Sequence, residues 1–281
     1  MTLSYLKKHK AWIYTGITVA GLLALLIITF ALKKIPSSSL PSIRDYNDIV
    51  EEGIIRATTE YNSISFFLEG DTVTGFNYEL LQAFAREHNL KVEIHPEMAF
   101  NTCLEGLNNG TFDLIANGIL ATSELKDSLL LTNPIALSRQ ILIQRKPTSD
   151  NDSLYIKSLL DLGQKTIYIP KDSPYMLRLR NLEAEIGDTI YIQEMDKYGS
   201  EQLISLVAHG DINYAVCEES IAIAAADSLP QIDISIAIGF TQFYSWAVNK
   251  QSPILLDSLN VWIDDFKKRK EYKRIYRKYY Q

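Results

Sequence analysis

Apolar residues recur at helical spacing in two stretches one hundred residues apart. Leu104 and Leu107 precede Gly110 and Asp113, and Ile204 and Val207 precede Gly210 and Asn213 in the same register. Apolar positions three apart lay out one face of a short helix, and a glycine after them suits the left-handed residue that ends it. An apolar run follows each glycine, at 112–116 and 212–217, so each stretch predicts a helix, a glycine cap and a strand. Two such units predict two α/β halves of similar build. Ligands in open α/β sheets sit beyond the carboxyl ends of the strands. Here those ends are Asn117, Gly118 and Ile119 in one half and Glu218, Glu219 and Ser220 in the other.

The same two periodicities organise the rest of the chain. A strand is predicted at 54–58, then a polar loop through Tyr61 and Asn62, and a strand at 63–68 running into the turn Glu69-Gly70-Asp71. Phe76, Leu80, Leu81 and Phe84 form one helical face that ends near His88 and Asn89, before an alternating strand at 91–95. After a helix start at Thr122-Ser123-Glu124 comes an apolar strand at 141–144, then a polar stretch at 146–153. The second half predicts a helix at 158–162, strands at 166–169, 190–193, 232–238 and 243–248, and helix over most of 254–280. Ser173 reads as an N-cap with Pro174 as first helical residue. Strands alternating with helices predict an α/β fold.

One run breaks this pattern. Residues 11–32 carry no charge, about 33 Å of helix, enough to cross a bilayer core of roughly 30 Å. The run is longer than a secretory core and ends on Ala31-Leu32-Lys33-Lys34, so a retained anchor is expected. Lys7, Lys8 and Lys10 before it favour an N-terminus inside and the bulk of the chain outside. A tether rich in serine and proline follows.

Charge then narrows the partners. Residues 35–266 hold 15 basic against 33 acidic side chains, a net charge of −18 that repels phosphate backbones and excludes nucleic acid as a partner. Eight basic residues between Lys267 and Lys278 read as the solvated face of a last helix, with Phe266, Tyr272, Ile275 and Tyr276 inward. Cys103 and Cys217 fall in different halves and read as small buried residues. No nucleotide loop, metal-site spacing or nucleophile motif occurs, and the four histidines are scattered. Glu218 stands apart because it ends a predicted strand where a cleft belongs.

Three segments carry a resemblance: Gly75-Phe76-Asn77-Tyr78-Glu79-Leu80-Leu81; Leu107-Asn108-Asn109-Gly110-Thr111-Phe112-Asp113-Leu114-Ile115-Ala116-Asn117-Gly118; and Tyr198-Gly199-Ser200-Glu201-Gln202-Leu203 leading into His209-Gly210-Asp211-Ile212. Over about 48–280 the chain resembles the bacterial extracellular solute-binding proteins of family 3. Within them it is most similar to the substrate-binding-like domain of membrane-bound lytic transglycosylase F. The resemblance implies a periplasmic-binding-protein-like α/β fold of two lobes joined by a two-strand hinge, after one transmembrane helix. The expected layout is a cytoplasmic 1–10, an anchor at 11–32, a linker at 33–43, lobe one at 44–145 and 240–281, and lobe two at 146–239. The lytic domain is not expected in this chain. By position, Tyr61 is implied to cover a ligand, Asn117, Ile119, Thr122 and Ser173 to line its cleft, and Glu218 to receive an amino group.

Two departures bear on the ligand. Amino-acid binders of the family carry an arginine three residues after the threonine matched by Thr122, and this chain has Leu125. The adjacent Lys126 cannot reproduce a planar bidentate grip. Asp172 stands where the family often has glycine. The expected function is a membrane-tethered, extracytoplasmic protein that closes on a small amine-bearing ligand: an amino acid, a short peptide or a cell-wall fragment. Its partners are expected to be that ligand, the membrane through the N-terminal helix, and a permease or cell-wall enzyme. No catalytic residue, cofactor or metal is expected. The alternatives are a sensor or cell-wall regulatory module with a decayed site, or a dehydratase on the same scaffold.

Overall fold

Helix, glycine and strand recur as the repeat predicts. In the computed structural model, which describes residues 41–149 and 152–280, the repeated helices run Phe100–Asn109 (α3) and Ser200–His209 (α6), again one hundred residues apart. Gly110 and Gly210 end them at φ 81° and 89°, in the left-handed region. The strands that follow, Leu114–Leu120 (β5) and Ala215–Glu218 (β11), belong to two different sheets. The expected anchor at 11–32 lies outside the described residues. Among the described residues no helix is long and apolar enough to cross a membrane.

In the first sheet, Ile54–Thr59 (β1) lies between Lys91–Pro96 (β4) and β5, all parallel. Gln242–Asn249 (β13) adds antiparallel to β5, and Leu129–Leu131 (β6) and Ala136–Ser138 (β7) pair with β13. Phe76–Glu87 (α2) buries Phe76, Leu80, Leu81 and Phe84 in the core, as its periodicity predicts. Gly75 before it has φ 136°, and a Cβ there would come 2.3 Å from the Ser65 carbonyl oxygen, so the chain approaches itself where only glycine fits. The predicted terminal helix breaks into Pro253–Phe266 (α8) and Lys270–Tyr280 (α9). In α9, Tyr272, Tyr276, Tyr279 and Tyr280 surround Phe76 edge-on, while Lys273, Arg274, Arg277 and Lys278 face solvent.

The second sheet orders Tyr191–Met195 (β10), Thr166–Pro170 (β9), β11, Gln140–Arg145 (β8) and Ile232–Asp233 (β12). Tyr175–Ile186 (α5) packs Leu179 and Leu182 into its core beside Ile167, Ile169 and Val216. Two details differ from expectation. The strand at Gln140–Arg145, grouped by the layout above with the first half, hydrogen-bonds to β11 and β12 of the second sheet. The chain therefore leaves the first sheet at Ser138 and returns at Gln242, and these two crossing points are paired side by side. An apolar run predicts a buried strand but not which sheet receives it. The expected strand at 232–238 shortens to two residues plus a bridge from Ala237 to Ile141.

Candidate functional site

A cavity of about 500 Å³ opens where strands of both sheets end. Its lining includes Glu60 after β1, Asn117 to Leu120 at the end of β5, Pro170 to Tyr175 after β9, and Glu218 at the end of β11. Parallel strands place their carboxyl ends on one side, and the residues beyond them are free of ladder bonds to meet a ligand.

The ends of β1 and β5 are tied by side chains. Ladder register stops at Thr58 opposite Ile115. Beyond it, Thr59 Oγ1 donates to the Ala116 carbonyl at 2.8 Å and to Asn117 Oδ1 at 3.1 Å, and the Glu60 N–H donates to the same Oδ1 at 2.7 Å. A backbone N–H can only donate, so the oxygen of Asn117 faces it and the amide N–H groups are left for the cavity. Asn62 is 4 % exposed. Its Oδ1 accepts from the N–H groups of Ile64 at 3.0 Å and Ser65 at 2.7 Å, an Asx turn that presents its amide N–H to the Glu60 carboxylate.

Burial pushes the Glu60 carboxyl up to about 7; the Asn62 bond opposes this, and the charges of Glu218 and Glu201 add to the rise. Burial also raises Glu218, and hydrogen bonds from Ser220, Ser138 and Tyr280 hold it back in part. Ser220 Oγ donates to Glu218 Oε1 at 2.7 Å. Both acids are thus held by neutral donors. Tyr175, Tyr244 and Tyr280 line the same space, and burial keeps all three phenols neutral, well above their ordinary titration. Tyr244 presses on Gly118, where a Cβ would come within 2.7 Å of the ring. The cavity contains neither an activated thiol nor a histidine: burial pushes the Cys103 thiol up to about 11, against nucleophilic use. Among the described residues no three side chains gather as a metal site.

Of the expected site residues, Asn117, Ile119, Thr122, Ser173 and Glu218 line this one cavity, and Tyr61 does not. Tyr61 is 46 % exposed, with its ring edge-on to Phe66. Thr122 spends its hydroxyl on a local cap, accepting from the Leu125 N–H at 3.3 Å. Ser173 does not cap α5 as expected. Pro174 takes that position, with no side-chain cap, and Ser173 Oγ is inaccessible and unpartnered. Asp172 has φ 56°, the left-handed conformation that glycine adopts without cost. Leu125 lines the cavity as an apolar wall, whereas Lys126 is exposed and outside it. Glu60 was missed, although the end-of-strand rule that singles out Glu218 applies to it equally. Tyr280 arrives from the last helix, and no local pattern announces it.

Residues 54–281 match the family described as bacterial extracellular solute-binding proteins, family 3. Among curated relatives, membrane-bound lytic murein transglycosylase F of Desulfosudis oleivorans is 29% identical over 232 residues, covering 83% of this chain and 50% of the relative. The protein of that name from Vibrio cholerae is 24% identical over 257 residues, covering 86% of this chain and 46% of the relative. The chain spans about half the length of these curated relatives. Among solved structures, an ancestral arginine-binding protein bound to arginine superposes with a TM-score of 0.71 at 25% identity, covering 82% of this chain and 99% of that one. An ancestral amino-acid-binding precursor of cyclohexadienyl dehydratase has a TM-score of 0.72 at 22% identity, covering 84% of this chain and 99% of that one. The two share the periplasmic-binding-protein-like fold with this chain.

Proposed function

The chain belongs to the bacterial extracellular solute-binding proteins, family 3, and from that premise we propose that it binds a small amine-bearing ligand between two lobes outside the cytoplasmic membrane. The ligand is an amino acid, a short peptide or a cell-wall fragment. The observation that carries this reading is Glu218, a carboxylate at a strand end, lining a cavity with only neutral hydrogen-bond partners. A buried carboxylate held this way favours an ammonium group, because ion pairing replaces the hydration it has lost. Asn117 supplies a polar contact, Ile119, Thr122 and Ser173 line the wall, and Tyr61, which lies outside the lining, is assigned the cover of the ligand.

Closure is supported by a hydrogen bond across the gap, from the Ser63 N–H in the first half to Glu201 Oε1 in the second at 2.7 Å. The paired crossing segments at Ser138 and Gln242 suit a two-strand hinge. A ligand that touches both lobes has the differential affinity closure requires. The uncharged run at 11–32 supports a tether, and the relatives named as membrane-bound murein enzymes support a cell-wall setting, with a permease or cell-wall enzyme as partner. The role is binding, without catalysis.

Calorimetry of Glu218→Ala and Tyr61→Ala tests the site: each weakens amine binding by about tenfold or more, with circular dichroism unchanged. Equal affinity in both variants and the parent chain refutes the assignment. Leu125 favours a second reading, a cell-wall sensor module whose amino-acid site has decayed, which predicts a featureless thermal-shift screen. A dehydratase role, suggested by the fold of the ancestral precursor, requires turnover of prephenate or arogenate.

A further inference from the structure

Four carboxylates line the cavity, and the two at strand ends, Glu60 and Glu218, come from opposite halves of the molecule. Glu60 follows β1 of the first sheet and Glu218 ends β11 of the second. The partners of both are neutral: Asn62 for Glu60, and Ser138, Ser220 and Tyr280 for Glu218. The cations that reach the lining sit at its exposed mouth with acid partners of their own, Lys171 with Asp196 at 2.6 Å and Arg180 with Glu183 at 2.8 Å. Glu97 and Asp172 also belong to the lining, so no positive charge is left over inside.

The wall that would need to grip a ligand carboxylate is apolar. Leu125 lines the cavity and packs toward Cys103, Leu107 and Ile119. A carboxylate entering here would meet two acids in a low-dielectric space and no fork of donors. Ser173 belongs to the lining, but its Oγ is shielded from that space and has no hydrogen-bond partner. Tyr244 and Tyr280 add ring surface suited to methylene groups and to cations.

We propose that the cavity selects a small organic ligand with two cationic nitrogens and no free carboxylate, one nitrogen for Glu60 and one for Glu218. This rests on the amine-binding reading and narrows it to diamines and to decarboxylated or amidated basic amino acids. A dication neutralises both acids at once and removes their mutual repulsion. A zwitterion neutralises one and adds a further negative charge.

Isothermal titration of the full chain with agmatine, arginine, putrescine and butylamine tests the inference. Agmatine and arginine share the guanidinium and amine and differ by the carboxylate. Agmatine is expected to bind at least about tenfold tighter than arginine. Glu60→Gln is expected to weaken agmatine and putrescine by about thirtyfold or more while changing butylamine by less than about threefold. Glu60→Gln keeps the side chain's size and removes a charge, so it is expected to fold; circular dichroism checks this, and Glu60→Asp is expected to retain part of the diamine affinity. Arginine binding as tightly as agmatine overturns the inference, as does an equal loss on diamine and monoamine in Glu60→Gln; amine binding as such then still stands. Failure of every amine to bind, or an affinity indifferent to Glu218→Gln, removes the amine-binding reading and this inference with it.

Discussion

The backbone N–H of Glu60 donates to Asn117 Oδ1 at 2.7 Å, so a side chain on β5 sets the direction in which the chain leaves β1. Thr59 Oγ1 shares that oxygen. Replacing Asn117 with leucine leaves the Glu60 N–H without its acceptor in a partly buried place. Loss of about 1–3 kcal/mol is expected, read from urea denaturation midpoints at constant m-value. An unchanged midpoint would show that water substitutes for the amide.

Glu60 also gives the protein a pH signature. Its carboxyl is raised in the folded state to about 7, first by burial, so the folded chain holds this proton more tightly than the unfolded one. The contribution is fully present below the unfolded value of about 4.5 and is lost as pH rises through 7. In the ligand-free protein, Glu60→Gln is expected to raise the melting temperature at pH 8.5 by about 2–4 °C and to give no gain at pH 4.5. A gain of the same size at both pH values would mean that charge is not the cause.

Gly75→Ala tests the close approach at the start of α2. The glycine has φ 136° and a Cβ would meet backbone atoms of Ser65, which cannot swing aside like a side chain. A cost of about 2–4 kcal/mol is expected, with Tyr279, whose hydroxyl accepts the Gly75 N–H at 2.8 Å, displaced as well. Hydrogen exchange along α9 would report that displacement; protection equal to the parent's would contradict it.

Trp246 is fully buried, and its Nε1 donates to Asn77 Oδ1 at 2.8 Å. Trp246→Phe removes ring volume and leaves a buried amide oxygen unpaired. The expected destabilisation is about 2–4 kcal/mol, larger than that of Trp262→Phe, since the Trp262 indole N–H has no partner to lose. Reversal of that order would show that volume outweighs the hydrogen bond.

Glu201 of the second half accepts from the Ser63 N–H of the first. Glu201→Ala is expected to enlarge the radius of gyration of the unliganded chain in small-angle scattering, and a tight ligand is expected to restore it. Identical scattering with and without the substitution would mean that this contact does not hold the halves together.

Much of this architecture was legible beforehand because it depends on neighbours in the chain. The helices before Gly110 and Gly210, the buried face of α2 and the inward aromatic residues of α9 follow from spacing alone. So does the place of Glu218 at the end of a strand. Ser173 misled because its hydroxyl reaches no helix N–H, although Pro174 has the helical φ −66° and ψ −8° of a first residue.

Local pattern determined which segments are helix or strand, and that two similar α/β units exist, because apolar periodicity and glycine conformation act over a few residues. Tertiary structure decided that Gln140–Arg145 joins the second sheet, that Glu60 and Glu218 face one cavity, and that Tyr280 reaches it from the last helix. Those outcomes depend on contacts between residues far apart in the chain, where burial and charge are set by what packs alongside and no spacing rule applies.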